Sequence, residues 1–194
     1  MIIACDLSLK RTGIAKLTED GRLIEYKNII PENSLNEFLK IAYIRSEIES
    51  MIHNCSEMIV EDLYLGINFK GIKHLARLSG AVIDMWIRHK FREPVLYMAC
   101  HARKLVGIKG NAHKIEVQVF VVKNYLKKFY KDVSWVEQEI ISIKQAYKDK
   151  RISKYKLKKS LDDLSKSFEE VTGIGEDIAD AIILGKAYIN ERTK

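Results

Sequence analysis

The stretch Met1-Ile2-Ile3-Ala4-Cys5-Asp6-Leu7-Ser8 decides how the rest of the chain is read. Its apolar content and length predict a buried strand. One carboxylate, Asp6, stands in it. A charge in such a strand is costly unless something pairs with it or binds it. Taken alone, Asp6 either caps the strand end and bonds into the following turn, or faces metal ions. The rest of the chain bears on that choice.

Working outward, Lys10-Arg11-Thr12-Gly13 predicts a turn and residues 13–18 a second strand. Asp20-Gly21 is a hairpin signal, and residues 23–30 form a third strand, so the chain opens with an antiparallel meander. Pro31 breaks it. Ser34 reads as an N-cap, with Glu37 completing a capping box. The helix that follows sets Phe38, Ile41, Ile44, Ile48, Met51 and Ile52 on one face. Met58-Ile59-Val60-Glu61 is a short strand ending in a second carboxylate. The intervening helix is long enough to bring that strand parallel to the first.

A polar-aromatic loop over 64–71 leads to a helix over about 72–91, where Ala76, Gly80 and Ala81 permit close packing. A fifth strand spans 95–99. No proline follows Pro94, so the second half is free to be helical, with helices at about 112–130, 134–149, 153–171 and 176–191. The expected fold class is α/β: a mixed five-stranded sheet flanked by helices, in one domain spanning 1–194.

Composition narrows the function classes. A hydrophobic share of 47% rules against disorder. A net charge of +7 favours an anionic partner, most simply nucleic acid. Cys5, Cys55 and Cys100 lie far apart without a CxxC, and read as buried thiols in a reducing compartment. The five histidines show no metal-ligand spacing such as HExxH. No apolar run approaches the roughly 20 residues of a membrane span, so no membrane partner is expected. No basic region precedes the N-terminal apolar stretch, and a cytoplasmic location is the expectation.

Residues 144–166 carry nine Lys or Arg against three Asp, with Ile, Tyr and Leu at helical spacing. They read as a basic helical hairpin projecting from the core, within an insertion at about 132–172. Two readings stay open. The lysines, Lys154, Lys156 and Lys158 among them, contact phosphates, which position a duplex without reading its sequence. Otherwise they form a solvated face.

Four carboxylates carry the chemistry. Asp6 and Glu61 end two strands expected to be parallel neighbours, and so enter one crevice at the carboxyl edge of the sheet. Asp177 and Asp180 are three apart on the last helix and share a face. That helix follows Gly173-Ile174-Gly175, and its face is otherwise small and apolar (Ala181, Leu184, Gly185), so it is expected to pack on the sheet. An inward-facing Asp pair needs compensation, which divalent cations supply; oxygen-rich sites of this kind suit Mg²⁺. Two such ions activate a water and stabilise the leaving oxygen of a phosphodiester. The alternative for Asp177 is a helix N-terminal cap. Asp62 and Glu176, next to the ligand candidates, are expected to point away.

These residues resemble a known family. Asp6-Leu7-Ser8-Leu9-Lys10-Arg11-Thr12-Gly13 is similar to the first motif of RuvC-type Holliday-junction resolvases of the ribonuclease H-like superfamily. Val60-Glu61 with its aromatic-bearing loop is similar to the second motif, and Asp177-Ile178-Ala179-Asp180-Ala181 matches the terminal DxxDA. Lys104 to Lys114 resembles the family's VxG-x-G-x-A-x-K segment, with one extra residue between the glycines. Cys5 and Leu7-Ser8 replace the more usual glycine and Pro-Gly. The interval from Lys114 to Asp177 is longer than in typical bacterial members, so the chain resembles a divergent, phage-encoded relative.

The resemblance implies a ribonuclease H-like fold and a crossover junction endodeoxyribonuclease. Asp6, Glu61, Asp177 and Asp180 would bind two Mg²⁺ or Mn²⁺, with Lys114 near the scissile phosphate. Phe69, with Tyr64 as rival, would stack on an unpaired base. Lys70, Lys104 and Lys109 join the hairpin lysines as expected DNA contacts. For Lys114 the alternative is an exposed helix lysine, and for Phe69 simple packing. The implied partners are a four-way DNA junction and a second copy of the chain, meeting through the helix at 72–91. Rival functions are an RNA-processing nuclease of the same fold, a non-catalytic junction-binding protein, and an actin-like ATP-binding protein; the chain lacks the second phosphate loop and the length of the last.

Overall fold

The computed structural model describes residues 1–63, 69–126 and 132–193, with residues 69 and 70 described by backbone alone. Tyr64 and the side chains of Phe69 and Lys70 lie outside the described set.

The N-terminal half builds the sheet. Strands β1 (Ile2–Asp6), β2 (Thr12–Leu17) and β3 (Leu23–Ile29) form the meander, helix α1 (Glu37–Met51) crosses over, and β4 (Glu57–Glu61) follows. Helix α2 (Phe69–Lys90) then leads to the short β5 (Val95–Tyr97). The strand order is β3-β2-β1-β4-β5, with β4 parallel to both β1 and β5. The expected mixed five-stranded sheet, with its parallel β1–β4 pair, is what forms.

Strand parity divides the apolar residues between two layers. Ile3, Cys5, Met58 and Val60 face α1 and α2, where Ile44, Ile48, Leu78 and Trp86 complete one core. Ile2, Ala4 and Ile59 face the other layer. That layer is helical: α3 (Ala99–Leu105), α4 (Lys114–Tyr125), α5 (Ser134–Lys148), α6 (Lys154–Thr172) and α7 (Glu176–Arg192). Helix α7 lies directly on β1 and β2. Two glycines permit this approach: a Cβ on Gly13 would sit 2.0 Å from the Asp177 carbonyl oxygen, and one on Gly185 would sit 2.4 Å from Leu17. Gly13 therefore serves helix–sheet packing, and Thr12 makes the turn. The buried Thr12 hydroxyl donates to the Ser8 carbonyl (2.8 Å) and accepts from the Ser8 amide (3.0 Å).

Several expectations are corrected. The N-cap of α1 is Asn36, whose Oδ1 accepts from the Leu39 amide at 3.0 Å. Ser34 instead bonds to Glu32 (3.2 Å), and Glu37 is the first helical residue, ion-paired with Arg77 and 2.7 Å from His74 Nδ1. Proline and turn residues over 31–36 offer several caps, and tertiary pairing of Glu37 with α2 chooses among them. Phe38 is 67% exposed, because the buried face of α1 begins a turn later. The fifth strand stops at Tyr97, and residues read as its end start α3, a helix the periodicity did not reveal. Cys5 and Cys55 are buried, but Cys100 is exposed on α3.

The basic hairpin is rooted in the core, while its stretch over residues 144–160 holds no buried residue. Val136 and Ile140 of α5 and Leu161 and Phe168 of α6 join the core beneath α4 and α7. A polar lock reinforces this packing. The fully buried Gln118 of α4 accepts from the Ser165 hydroxyl (2.7 Å) and donates to the Ile174 carbonyl (2.8 Å), tying α6 and the entry to α7 together. Gly173, at φ +70°, ends α6 in the left-handed conformation.

Candidate active site

Parity carries two of the carboxylates inward. Ile2 and Ala4 face α7, so Asp6, at the next alternate position, does too; Ile59 does the same for Glu61. The parallel register Cys5↔Val60 places Asp6 and Glu61 side by side at the carboxyl end of the sheet. Asp177 and Asp180 come from the first turn and a half of α7, which lies across that edge.

Asp6 senses the other three acids. The Asp6 carboxyl is held well above the usual carboxylate range. Burial is the largest cause, followed by the charge of Glu61, a hydrogen bond with Glu61, and the charges of Asp180 and Asp177. Asp180 is pushed up to about 6: burial raises it most, Arg103 opposes, and Glu61 and Glu176 add to the rise.

Two arginines meet the helix pair. Arg103 of α3 forks onto Asp180 with Nη2 at 2.8 and 2.9 Å and Nε at 3.2 Å, while its Nη1 donates to the Ala112 carbonyl at 3.3 Å. Arg11, in the turn after β1, donates through Nε to Asp177 and through Nη1 to Glu169 of α6. Among the described residues no cation pairs with Asp6 or Glu61. Neither arginine was singled out from the sequence as a site residue. The signal that could have found them is the rule that a buried Asp pair needs compensating charge, which protein cations meet as well as metals do.

Among the described residues no three acidic, imidazole or thiol side chains already stand in ligating geometry for a metal. The donor set nonetheless fits hard divalent cations: four carboxylates gathered at one end of the sheet, two of them, Asp6 and Glu61, without a counter-charge among the described residues. Asp177 and Asp180 are paired with Arg11 and Arg103.

Beside the carboxylates opens a cleft of about 430 Å³, lined by Arg103, His113, Lys114, Lys158, Asp162 and Glu176. Lys114 opens α4 and sits 3.3 Å from Asp162 and 3.8 Å from Glu176. His113 Nε2 is 3.3 Å from the same Asp162. Burial, the largest influence on the imidazole, lowers its proton affinity, and Asp162 works against that. Lys158 of α6 joins this cleft; Lys154 and Lys156 are exposed on the same helix. Lys104 and Lys109 are exposed near the end of α3 and in the loop beyond it. Asp62 points away, accepting from the Leu63 amide at 2.8 Å. Glu176 departs from expectation, since it faces the cleft and Lys114.

No family model matches the chain, and no curated protein matches it. Solved structures do. RuvC from Thermus thermophilus in complex with a Holliday junction substrate aligns over 99% of this chain and 94% of its own, at 11% identity and a TM-score of 0.65. Thermus thermophilus RuvC alone aligns over 99% and 95%, at 12% identity and 0.63. At such identity the likeness establishes the fold: this chain has the RuvC, ribonuclease H-like architecture.

Proposed function

We propose that the chain is a metal-dependent, structure-selective DNA endonuclease that resolves four-way junctions by paired symmetric nicks. The observation that carries this reading is Asp6: a buried carboxyl at the end of its strand, pushed up first by burial and then by three other carboxylates that the fold draws from as far away as Asp180. On this reading Asp6, Glu61, Asp177 and Asp180 would hold two Mg²⁺ or Mn²⁺. When bound, such ions supply an activated water and neutralise charge at the phosphodiester, giving 5′-phosphate and 3′-hydroxyl ends.

The protein's own groups bind and orient the substrate. The cleft beside the carboxylates presents Lys114, Lys158 and Arg103, which suit a phosphate backbone. On this reading Lys114, 3.3 Å from Asp162 and 3.8 Å from Glu176, would donate to a strand entering over the carboxylates. The junction's two-fold symmetry calls for a homodimer. Helix α2 is our choice of contact, and Gly80 on it faces open space. The likeness to RuvC bound to a Holliday junction supports this substrate over a matched RNA substrate.

One observation favours a second reading, a non-catalytic junction binder: Asp177 and Asp180 already have arginine partners, so their charge is met without metal. A single experiment separates the two. Purified protein is incubated with a synthetic mobile four-way junction, with and without Mg²⁺, beside Asp6→Asn. Symmetric nicks that need metal and fall at least about 10³-fold in the variant are expected. Junction binding without cleavage in Mg²⁺ or Mn²⁺ leaves the binder reading instead.

A further inference from the structure

Helix α6 reaches the catalytic carboxylates through its acidic residues as well as its lysines. Asp162 and Glu169 are seven apart, two helical turns, and so lie along one face of α6. Asp162 holds Lys114 and His113, and Glu169 holds Arg11. Arg11 is thereby shared: Nε serves Asp177, while Nη1 and Nη2 serve Glu169, the latter at 3.4 Å. Gly175 leaves room for this arrangement at the entry to α7. A Cβ there would lie 2.7 Å from Glu169 Oε1 and 3.0 Å from Arg11 Nη2. The α6 face carrying Glu169 is fixed by Ser165 bonding to buried Gln118 and by buried Phe168, so the carboxylate is held from a rigid base.

We propose that Glu169 is a positioning residue for the carboxylate centre: by sharing Arg11 with Asp177, it sets how readily Asp177 is released to a divalent cation. The inference rests on the metal-dependent reading above. One guanidinium divided between two carboxylates holds each less firmly than it would hold one. With Glu169 neutralised, Arg11 belongs to Asp177 alone and competes more strongly with an incoming cation. With Arg11 also removed, Glu169 has nothing left to restrain.

The test is Mn²⁺ binding to DNA-free protein, measured by calorimetry for wild type, Glu169→Gln, Arg11→Gln and the double variant, with thermal melts as a check on folding and junction cleavage read in parallel. Glu169→Gln is expected to weaken Mn²⁺ binding about fivefold. The double variant is expected to bind as Arg11→Gln does, at least as tightly as wild type. A merely structural role for Glu169 would not be cancelled by removing Arg11. Wild-type affinity in Glu169→Gln, or a double variant as weak as Glu169→Gln, overturns the proposal while leaving the nuclease reading intact if wild type still cuts. Wild-type protein that binds no Mn²⁺ and cuts no junction overturns both.

Discussion

Asp6 and Glu61 end neighbouring strands with no described cation beside them, whereas Asp177 and Asp180, one helix away, each hold an arginine. The strand pair is rigid. Its backbone is locked in the sheet, and no cation among the described residues relieves its charge. The helix pair has charge relief built in, on side chains that can swing. One half of the cluster is therefore poised to demand a cation, and the other to yield to one. The energetic consequences are opposite in sign: removing charge from the strand half relieves the fold, while removing charge from around the helix half strains it.

The largest expected effect is on the helix side. Arg103→Gln leaves Asp180 buried with no forked partner, since the two side chains are only 15% and 10% exposed. Metal-free stability should fall by about 3–4 kcal/mol in urea unfolding, and millimolar Mg²⁺ should restore much of it. An unchanged midpoint would mean that Asp180 never depended on Arg103.

The next effect concerns protons. Asp180 in the fold is raised from 3.8 to about 6, and Asp6 is also raised. A carboxyl whose proton affinity is higher in the folded state contributes stability that is complete below its unfolded value and lost as pH rises through its folded one. Metal-free protein should therefore lose roughly 3 kcal/mol through Asp180 between about pH 4 and pH 7. Asp6→Asn should be more stable than wild type at pH 8 without metal. Saturating Mg²⁺ should flatten the wild-type slope. Chemical denaturation across pH, with and without metal, reads all three; a stability that rises with pH over this window breaks the comparison.

The smallest effect on the fold should come from the exposed lysines of α6. Charge reversal at Lys154, Lys156 and Lys158 together should leave the melting temperature near that of wild type. Junction binding should weaken, and its dependence on log salt should flatten by about one unit per lysine that contacts phosphate. Unchanged binding returns these lysines to a solvated face, and leaves α6 as a support for the carboxylates alone.

Much of this arrangement was legible in the chain. Alternation in Ile2-Ala4-Asp6 and Ile59-Glu61 gives the face of each carboxylate, and three-residue spacing gives the shared face of Asp177 and Asp180. These are short-range regularities, set by backbone period and burial, and they survive whatever the rest of the molecule does. The cap of α1 was less legible, because Ser34 and Asn36 both satisfy the local rule and only the pairing of Glu37 with His74 and Arg77 of α2 separates them. Helix α3 is a single seven-residue element without a periodic stripe, so its sequence offers little to read.

The sequence by itself determined the first four strands to within a residue or two and the four acids that the fold gathers. Tertiary structure alone decided which cations they meet. Arg11 and Asp177 are 166 residues apart, Arg103 and Asp180 are 77 apart, and Arg11 and Glu169 are 158 apart. Such pairs depend on where α3, α6 and α7 come to rest against the sheet, and any of the 33 lysines and arginines could satisfy a carboxylate on charge alone. The same holds for the hairpin. Its lysine-rich stretch over 144–160 stays in water, and the apolar residues at its roots, Val136, Ile140, Leu161 and Phe168, join the core, where their burial anchors it.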